Sequence, residues 1–333
     1  MSHTKQRSLR GHAAAIIAAV VSVLLALLLV VNRQQVVDQL TVWQFQPSSE
    51  IQALADKSGM GDRGEFYFYA SQPTLETAEV FNQKCDREEE STAVLGCYTG
   101  GRIYIYNVED KTLDGIREVT AAHEMLHAAY DRLSEGERQR INALVEEEYA
   151  KLRTDSAFAE RMAFYDRTEP GQRDNELHSI IGTEVADIDP KLEVHYKAYF
   201  TDRNKVVSLH EKYASVFKEL QRRSEDLSNQ LTKLTDQIEK SVSQYNTDVQ
   251  QLNGDIESFN TRANTGAFSS EAEFQSERAA LSVRADRLEA MRTEVNAKIE
   301  EYNRLRDELI SVAGQSDALN RSIDSTLAPA PNV

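Results

Sequence analysis

The chain has 333 residues, 41% of them hydrophobic, and carries 38 Lys and Arg against 54 Asp and Glu, for a formal net charge of −16. A surface so acidic excludes a general nucleic-acid binder, which needs a basic face to meet phosphate. The apolar content suffices for a sizeable core, and the two cysteines are ambiguous on count alone.

Residues 1–12 carry Lys5, Arg7 and Arg10 and no acid, and read as a basic cytoplasmic tail. Ala13 to Val31 form an apolar run interrupted only by Ser22. As a helix this run spans roughly 28 Å, the thickness of a hydrocarbon core. Three basic residues before it against Arg33 after it keep the N-terminus inside. The run is therefore expected to be a transmembrane signal anchor over 13–31. A cleaved signal peptide is the alternative, disfavoured by the length and by Val30-Val31-Asn32-Arg33, which offers no small-residue cleavage site. Everything after residue 33 is then extracytoplasmic, on a single-pass protein of the cell membrane. That compartment favours a disulfide between Cys85 and Cys97, which in the chain-entropy model stabilises by roughly 3 kcal/mol. The polar run Asp86 to Ser91 between them reads as a solvated loop rather than a calcium site.

Residues 32–61 read as a short juxtamembrane helix and a linker, closing with Pro47-Ser48-Ser49. Glu65 to Ala70, rich in aromatic residues, predicts a strand, and Thr74 to Gln83 a helix. Gly100-Gly101 marks a turn before a second strand over Arg102 to Val108. Asp114 is expected to cap a helix from Gly115 to Leu133, with Val119, Ala122, Leu126, Ala129 and Leu133 as its apolar stripe. Ser134 and Glu137 form a capping box for the next helix, which runs to about Arg153. Further helices are expected over Ala157 to Tyr165, over Asn175 to Ile181 with Gly182 as its end, and from Asp189-Pro190.

On the stripe-bearing helix lies His123-Glu124-Met125-Leu126-His127. Histidines one turn apart share a face, so both imidazoles can reach one metal ion, and Glu124 sits beside it. Zinc chemistry wants this set: neutral nitrogen ligands, an open coordination position and an adjacent base. The two histidines fall at the edge of the apolar stripe, a placement suited to a cleft rather than to core packing.

From about Lys205 the pattern changes. Leu227, Leu231, Leu234, Ile238, Tyr245, Leu252 and Phe259 keep a four–three spacing, and a second stretch holds Leu281, Leu288, Val295, Tyr302, Leu309 and Leu319. Nearly equal arms around Asn264-Thr265-Gly266, with a second capping box at Ser270 and Glu273, predict an antiparallel coiled coil over 201–326. A parallel coiled-coil dimer is the competing arrangement. Residues 327–333, with Pro329 and Pro331, read as a disordered tail.

His123, Glu124 and His127, on a helix that comes after a small sheet, resemble the motif of the zincin metallopeptidases. The resemblance covers about residues 62–200 and rests almost wholly on the pentapeptide. Ala128-Ala129-Tyr130-Asp131 after His127 excludes the metzincin branch, so the likeness is to the gluzincins. It implies an α+β fold with a small zincin-like sheet-plus-helices domain, a bound Zn2+, and a peptide or protein substrate. By the same resemblance Glu124 is the general base toward zinc-bound water, and a later helix supplies a third ligand. Glu176 is expected in that role, with Glu184 and His178 as alternatives. Glu176 borders the apolar face formed by Leu177, Ile180 and Ile181, while Glu184 falls past Gly182. The gluzincin pattern of an acid four residues after the ligand meets Ile180 here, and Asp187 imitates it from Glu184. His178, His195, Tyr130 and Tyr199 are candidates to donate to an oxyanion, with structural roles as the plainer reading. The expected function is thus a membrane-anchored extracytoplasmic zinc endopeptidase. The alternative is a non-enzymatic envelope scaffold that works through its coiled coil, by self-association or with a coiled-coil partner. No nucleic-acid partner is expected.

Overall fold

The computed structural model describes residues 3–85, 94–168 and 171–326. The polar run 86–91 and the tail 327–333 lie outside the described residues. Helix α1 (His3–Val31) contains the whole apolar run, and Val30 and Val31 are 71% and 81% exposed. Among the described residues no single helix is long and apolar enough to cross a membrane. Ile17–Val31 and α2 (Arg33–Gln44), bent by 74°, meet that length and composition only as a pair.

The stretch after α1 is more ordered than a linker. Ser48 caps α3 (Ser49–Ser58) by accepting from the Ile51 amide at 3.3 Å, and Gly59 ends it in the left-handed conformation, φ 77°. Ile51, Leu54 and Ala55 of α3 are buried in the core. The expected strand at 65–70 is instead helix α4 (Asp62–Ala70). Aromatic propensity loses to tertiary packing here. Arg63 donates to the Tyr67 hydroxyl one turn on, Phe68 is fully buried, and Gly64 lies directly under the Tyr199 carbonyl, where a Cβ has no room.

The expected helix at 74–83 splits into strand β1 (Thr74–Glu76) and helix α5 (Ala78–Lys84). Strands β2 (Gly96–Thr99) and β3 (Arg102–Tyr106) form a hairpin whose Gly100 and Gly101 have φ 58° and 77°, as a two-residue primed turn requires. Sheet order is β1-β3-β2, with β1 parallel and β2 antiparallel to β3, so β2 is an edge strand. A disulfide joins Cys85 at the end of α5 to Cys97 in β2.

Helix α6 (Ile116–Asp131) is the axis of the core. Its N-cap is Gly115, φ 105°, rather than the expected Asp114, whose carboxylate accepts from Lys212 at 2.6 Å. Helices α3 and α4, the helix Arg173–Glu184 and strands β2 and β3 pack around α6. Ser134 and Glu137 form the expected capping box for α7 (Glu135–Leu152). After α8 (Ser156–Thr168), helix α9 (Arg173–Glu184) runs through Gly182 instead of ending there. Leu126 of α6 and the Tyr196 ring press on Gly182, so this glycine permits close helix packing rather than a stop. Asp189 caps α10 (Pro190–Tyr196) through the Lys191 amide at 2.8 Å.

Helices α11 (Arg203–Thr265) and α12 (Glu271–Ile323) complete the chain. The chain divides into two compact units: one runs up to Val216 and resumes from Asn320, and the other is Phe217–Leu319. Within the second unit the two helices pair antiparallel. Arg223 bonds Glu308 (3.0 Å), Lys298 bonds Ser241 (3.1 Å), Arg284 bonds Asp255 (2.6 Å) and Arg262 bonds Glu277. Leu227, Leu234, Leu252 and Phe259 are buried along one arm, and Val295, Leu305 and Val312 along the other. The connecting turn is closed by mutual packing of Phe259, Phe268 and Phe274, with Ser270 capping α12 through the Glu273 amide at 3.1 Å.

Candidate metal centre

Two helices supply the site. On α6 the rings of His123 and His127 lie 4.7 Å apart, nearly perpendicular. From α9 the Glu176 carboxylate reaches both, with Oε2 at 3.6 Å from His123 Nε2 and Oε1 at 3.3 Å from His127 Nε2. One ligand atom from each of the three lies within 4.8 Å of the others. Tetrahedral ligands bonded at about 2.0–2.1 Å stand roughly 3.3 Å from one another, so this trio fits a single ion and could hold one.

Of the three expected third ligands, Glu176 is the one brought to the histidines. Glu184 is turned to Arg161 at 2.7 Å and His210 at 3.3 Å. His178 is fully buried with its Nε2 2.9 Å from His195 Nε2, and the Tyr130 hydroxyl donates to Asn142 at 2.7 Å.

The surroundings prepare the trio for a cation. Burial alone would raise the Glu176 carboxyl. The charge of His127, the hydrogen bond and charge of His123, and Arg161 more than offset it, holding Glu176 below its ordinary carboxylate range. His127 Nδ1 lies 3.0 Å from Asn175 Oδ1 and 3.2 Å from Ser179 Oγ. The lowering of Glu176 belongs to the trio with protonated imidazoles; with an ion bound, a proton kept on Nδ1 toward Asn175 would instead present the Nε2 lone pair of a neutral His127 to the ion, as metal ligation requires. Sequence reasoning did not single out Asn175 and Ser179. They are one turn apart on α9, a spacing that becomes informative only once α9 is known to pack on α6.

Glu124 is buried, 5% exposed, and is not one of the three clustered residues. A Cβ added at Gly96 would lie 2.6 Å from Glu124 Oε1 and 2.6 Å from Thr120 Cγ2, so the backbone of edge strand β2 rests against this carboxylate. Gly96→Ala is expected to displace Glu124 without touching a ligand atom. Metal content measured on the purified variant should then stay at the wild-type level, while any hydrolytic activity falls by on the order of tenfold or more.

Burial, then the charges of Arg140 and Arg63, pushes His195 down to about 4; burial, then His195, pushes His178 well below its usual range. As pH drops from about 6.5 to about 4, an unfolded chain therefore takes up protons that the folded chain does not. Stability should fall across that window, with a slope of about 1.4 kcal/mol per pH unit for each such histidine. Urea midpoints at pH 7 and pH 5 check this; an unchanged or higher midpoint at pH 5 would contradict it.

Compared with known proteins, the chain matches no family model, no curated protein and no solved structure.

Proposed function

We propose that this chain is a membrane-anchored, extracytoplasmic zinc endopeptidase of the gluzincin-like zincin class. The observation that carries the reading is the convergence of His123, His127 and Glu176 from two helices, with Glu124 beside them on the same HExxH turn. In this reading His123, His127 and Glu176 hold Zn2+, which supplies Lewis acidity and lowers the pKa of water. Asn175 and Ser179 fix the His127 ring, and Glu124 takes the proton of the attacking water. Gly96 lets the edge strand approach Glu124 closely, next to where an extended peptide would lie.

The cellular placement is part of the same proposal. The basic residues before the apolar run and the exposed apolar surface from Ile17 to Val31 support an N-terminal anchor that spans the membrane with its N-terminus inside. The Cys85–Cys97 disulfide supports an oxidising compartment for the domain beyond the anchor. The antiparallel helix pair, 63 and 53 residues long, also favours a second reading, a non-enzymatic scaffold. A library of quenched random peptides, incubated with the full chain in detergent, separates the two. Cleavage that a chelator abolishes and zinc restores supports the peptidase. Absence of cleavage by a zinc-loaded, folded chain would leave the scaffold.

A further inference from the structure

Helices α4, α7 and α10 enclose a cavity of about 850 Å³, formed by residues other than the metal-site trio, and open to solvent. Such volumes suit a small ligand or a chain end. Its apolar lining has buried Leu133 and Ile141 beside Leu144, with the exposed Val194 completing it on the solvent side. Its polar wall holds Arg63, Arg140 and Lys191. In a chain of net charge −16, none of these three cations makes an ion pair with a described carboxylate. The one acid in the wall, Glu137, accepts from the Ser134 hydroxyl at 2.6 Å and amide at 3.0 Å; these bonds first, and then the charges of Arg63 and Arg140, hold its carboxyl below the ordinary range, so it offsets those cations in part without a direct bond to either. Arg63 donates to the Tyr67 hydroxyl and lies 5.5 Å from the centres of the Tyr67 and Tyr199 rings. His195 spends Nε2 on His178, which leaves Nδ1 without a described partner at the cavity wall.

We propose that this cavity binds the free C-terminal carboxylate of a peptide that ends in an apolar residue. A guanidinium fork matches a carboxylate in two parallel hydrogen bonds; Arg140 has its fork available at the cavity wall, while Arg63, whose Nε and Nη2 donate to the Tyr67 hydroxyl, adds Nη1 and its charge. The isobutyl and isopropyl groups of Leu133, Leu144 and Val194 suit one apolar side chain. Between them His195 and the Tyr199 hydroxyl offer partners to peptide amides, which an unbroken alkyl chain would leave unmet. The proposal stands on the cavity alone and does not depend on peptide cleavage.

The test uses the full chain in detergent, carrying Glu124→Gln and kept in chelator so that no turnover occurs. The probe is an N-terminally fluorescein-labelled Ala-Ala-Val-Leu peptide, read by anisotropy as the free acid and as the C-terminal amide. The acid should bind at least tenfold more tightly than the amide. Arg140→Gln and Lys191→Gln, both at exposed positions, should each weaken the acid several-fold while leaving the melting temperature unchanged. Arg63→Gln should weaken it at least tenfold, although loss of its stacking on Tyr67 and Tyr199 makes Arg140→Gln and Lys191→Gln the safer probes. Equal binding of acid and amide, or unaltered binding in both exposed variants, would overturn the proposal. So would displacement by decanoate at the peptide's own concentration, which would assign the cavity to a fatty acid. Displacement by inorganic phosphate alone would reduce it to a simple anion site.

Discussion

Glu124→Gln should leave the metal in place and lower peptide hydrolysis by about 10²–10⁴-fold, the usual contribution of a positioned general base. The amide is nearly isosteric with the carboxylate, so its packing against the Gly96 backbone is kept while its capacity to accept a proton is lost. Zinc content and thermal midpoint should match those of the unaltered chain, because Glu124 is not one of the three clustered ligands. Full activity in this variant would remove Glu124 from the chemistry, and with it the zincin mechanism. Loss of zinc together with activity would make Glu124 a structural support of the trio instead.

The largest stability effect is expected far from any titrating ligand. Arg132, which caps α6 at its C-terminal end, donates to Asp38 of α2 through Nε at 2.8 Å and Nη2 at 2.9 Å. Both side chains are almost fully buried, 6% and 4% exposed. Arg132 Nη1 also donates to the Ala128 carbonyl at 2.8 Å and to the Tyr98 hydroxyl at 3.2 Å, and the guanidinium sits 5.3 Å from the centre of the Tyr67 ring. Burial works against this charge, yet its bonds to Asp38 and Tyr98 hold the Arg132 pKa above its usual value. Removing one partner of a buried pair strands the other, at a cost of about 3–5 kcal/mol. Asp38→Ala should therefore lower the melting temperature by roughly 6–12 °C, taking about 3 kcal/mol and a unit of this size. The double variant Asp38→Leu/Arg132→Met should recover most of the loss, since no unpaired charge remains. A fall of a degree or two in Asp38→Ala would show that the clamp contributes little.

That clamp was not legible in the sequence, because Asp38 and Arg132 are 94 residues apart and look like ordinary surface charges. What could be read was local. The apolar stripe of α6, the Ser134–Glu137 capping box, the Asp189-Pro190 start of α10 and the strand β3 all rest on residues within one or two turns of each other. The apolar N-terminal run, read as an export signal, made the Cys85–Cys97 pairing readable as well. The errors came where distant packing decides. Glu65–Ala70 carries the aromatic content of a strand, but a partner surface that includes Tyr199 makes it helix α4. Gly182 looks like a helix end until Leu126 and Tyr196 are seen pressing on it. β1 is three residues long and parallel to β3, too short to show a periodicity of its own. In the helix pair the burial of Leu305 and Val312 departs from the seven-residue spacing through Tyr302 and Leu309. At the candidate metal site the pentapeptide was plain, but Glu176 was one of three candidates, and only the packing of α9 on α6 brings it to the histidines.

The measurement that bears most directly on the central claim is zinc affinity, by competitive chelator titration of the purified full chain, of Glu176→Gln and of Glu184→Gln. The expected result is one zinc per chain, with affinity lowered on the order of tenfold or more in Glu176→Gln. Glu184→Gln should change it much less, since that carboxylate is engaged by Arg161 and His210. A chain that binds no zinc, or one that loses it only in Glu184→Gln, would contradict the centre described by His123, His127 and Glu176.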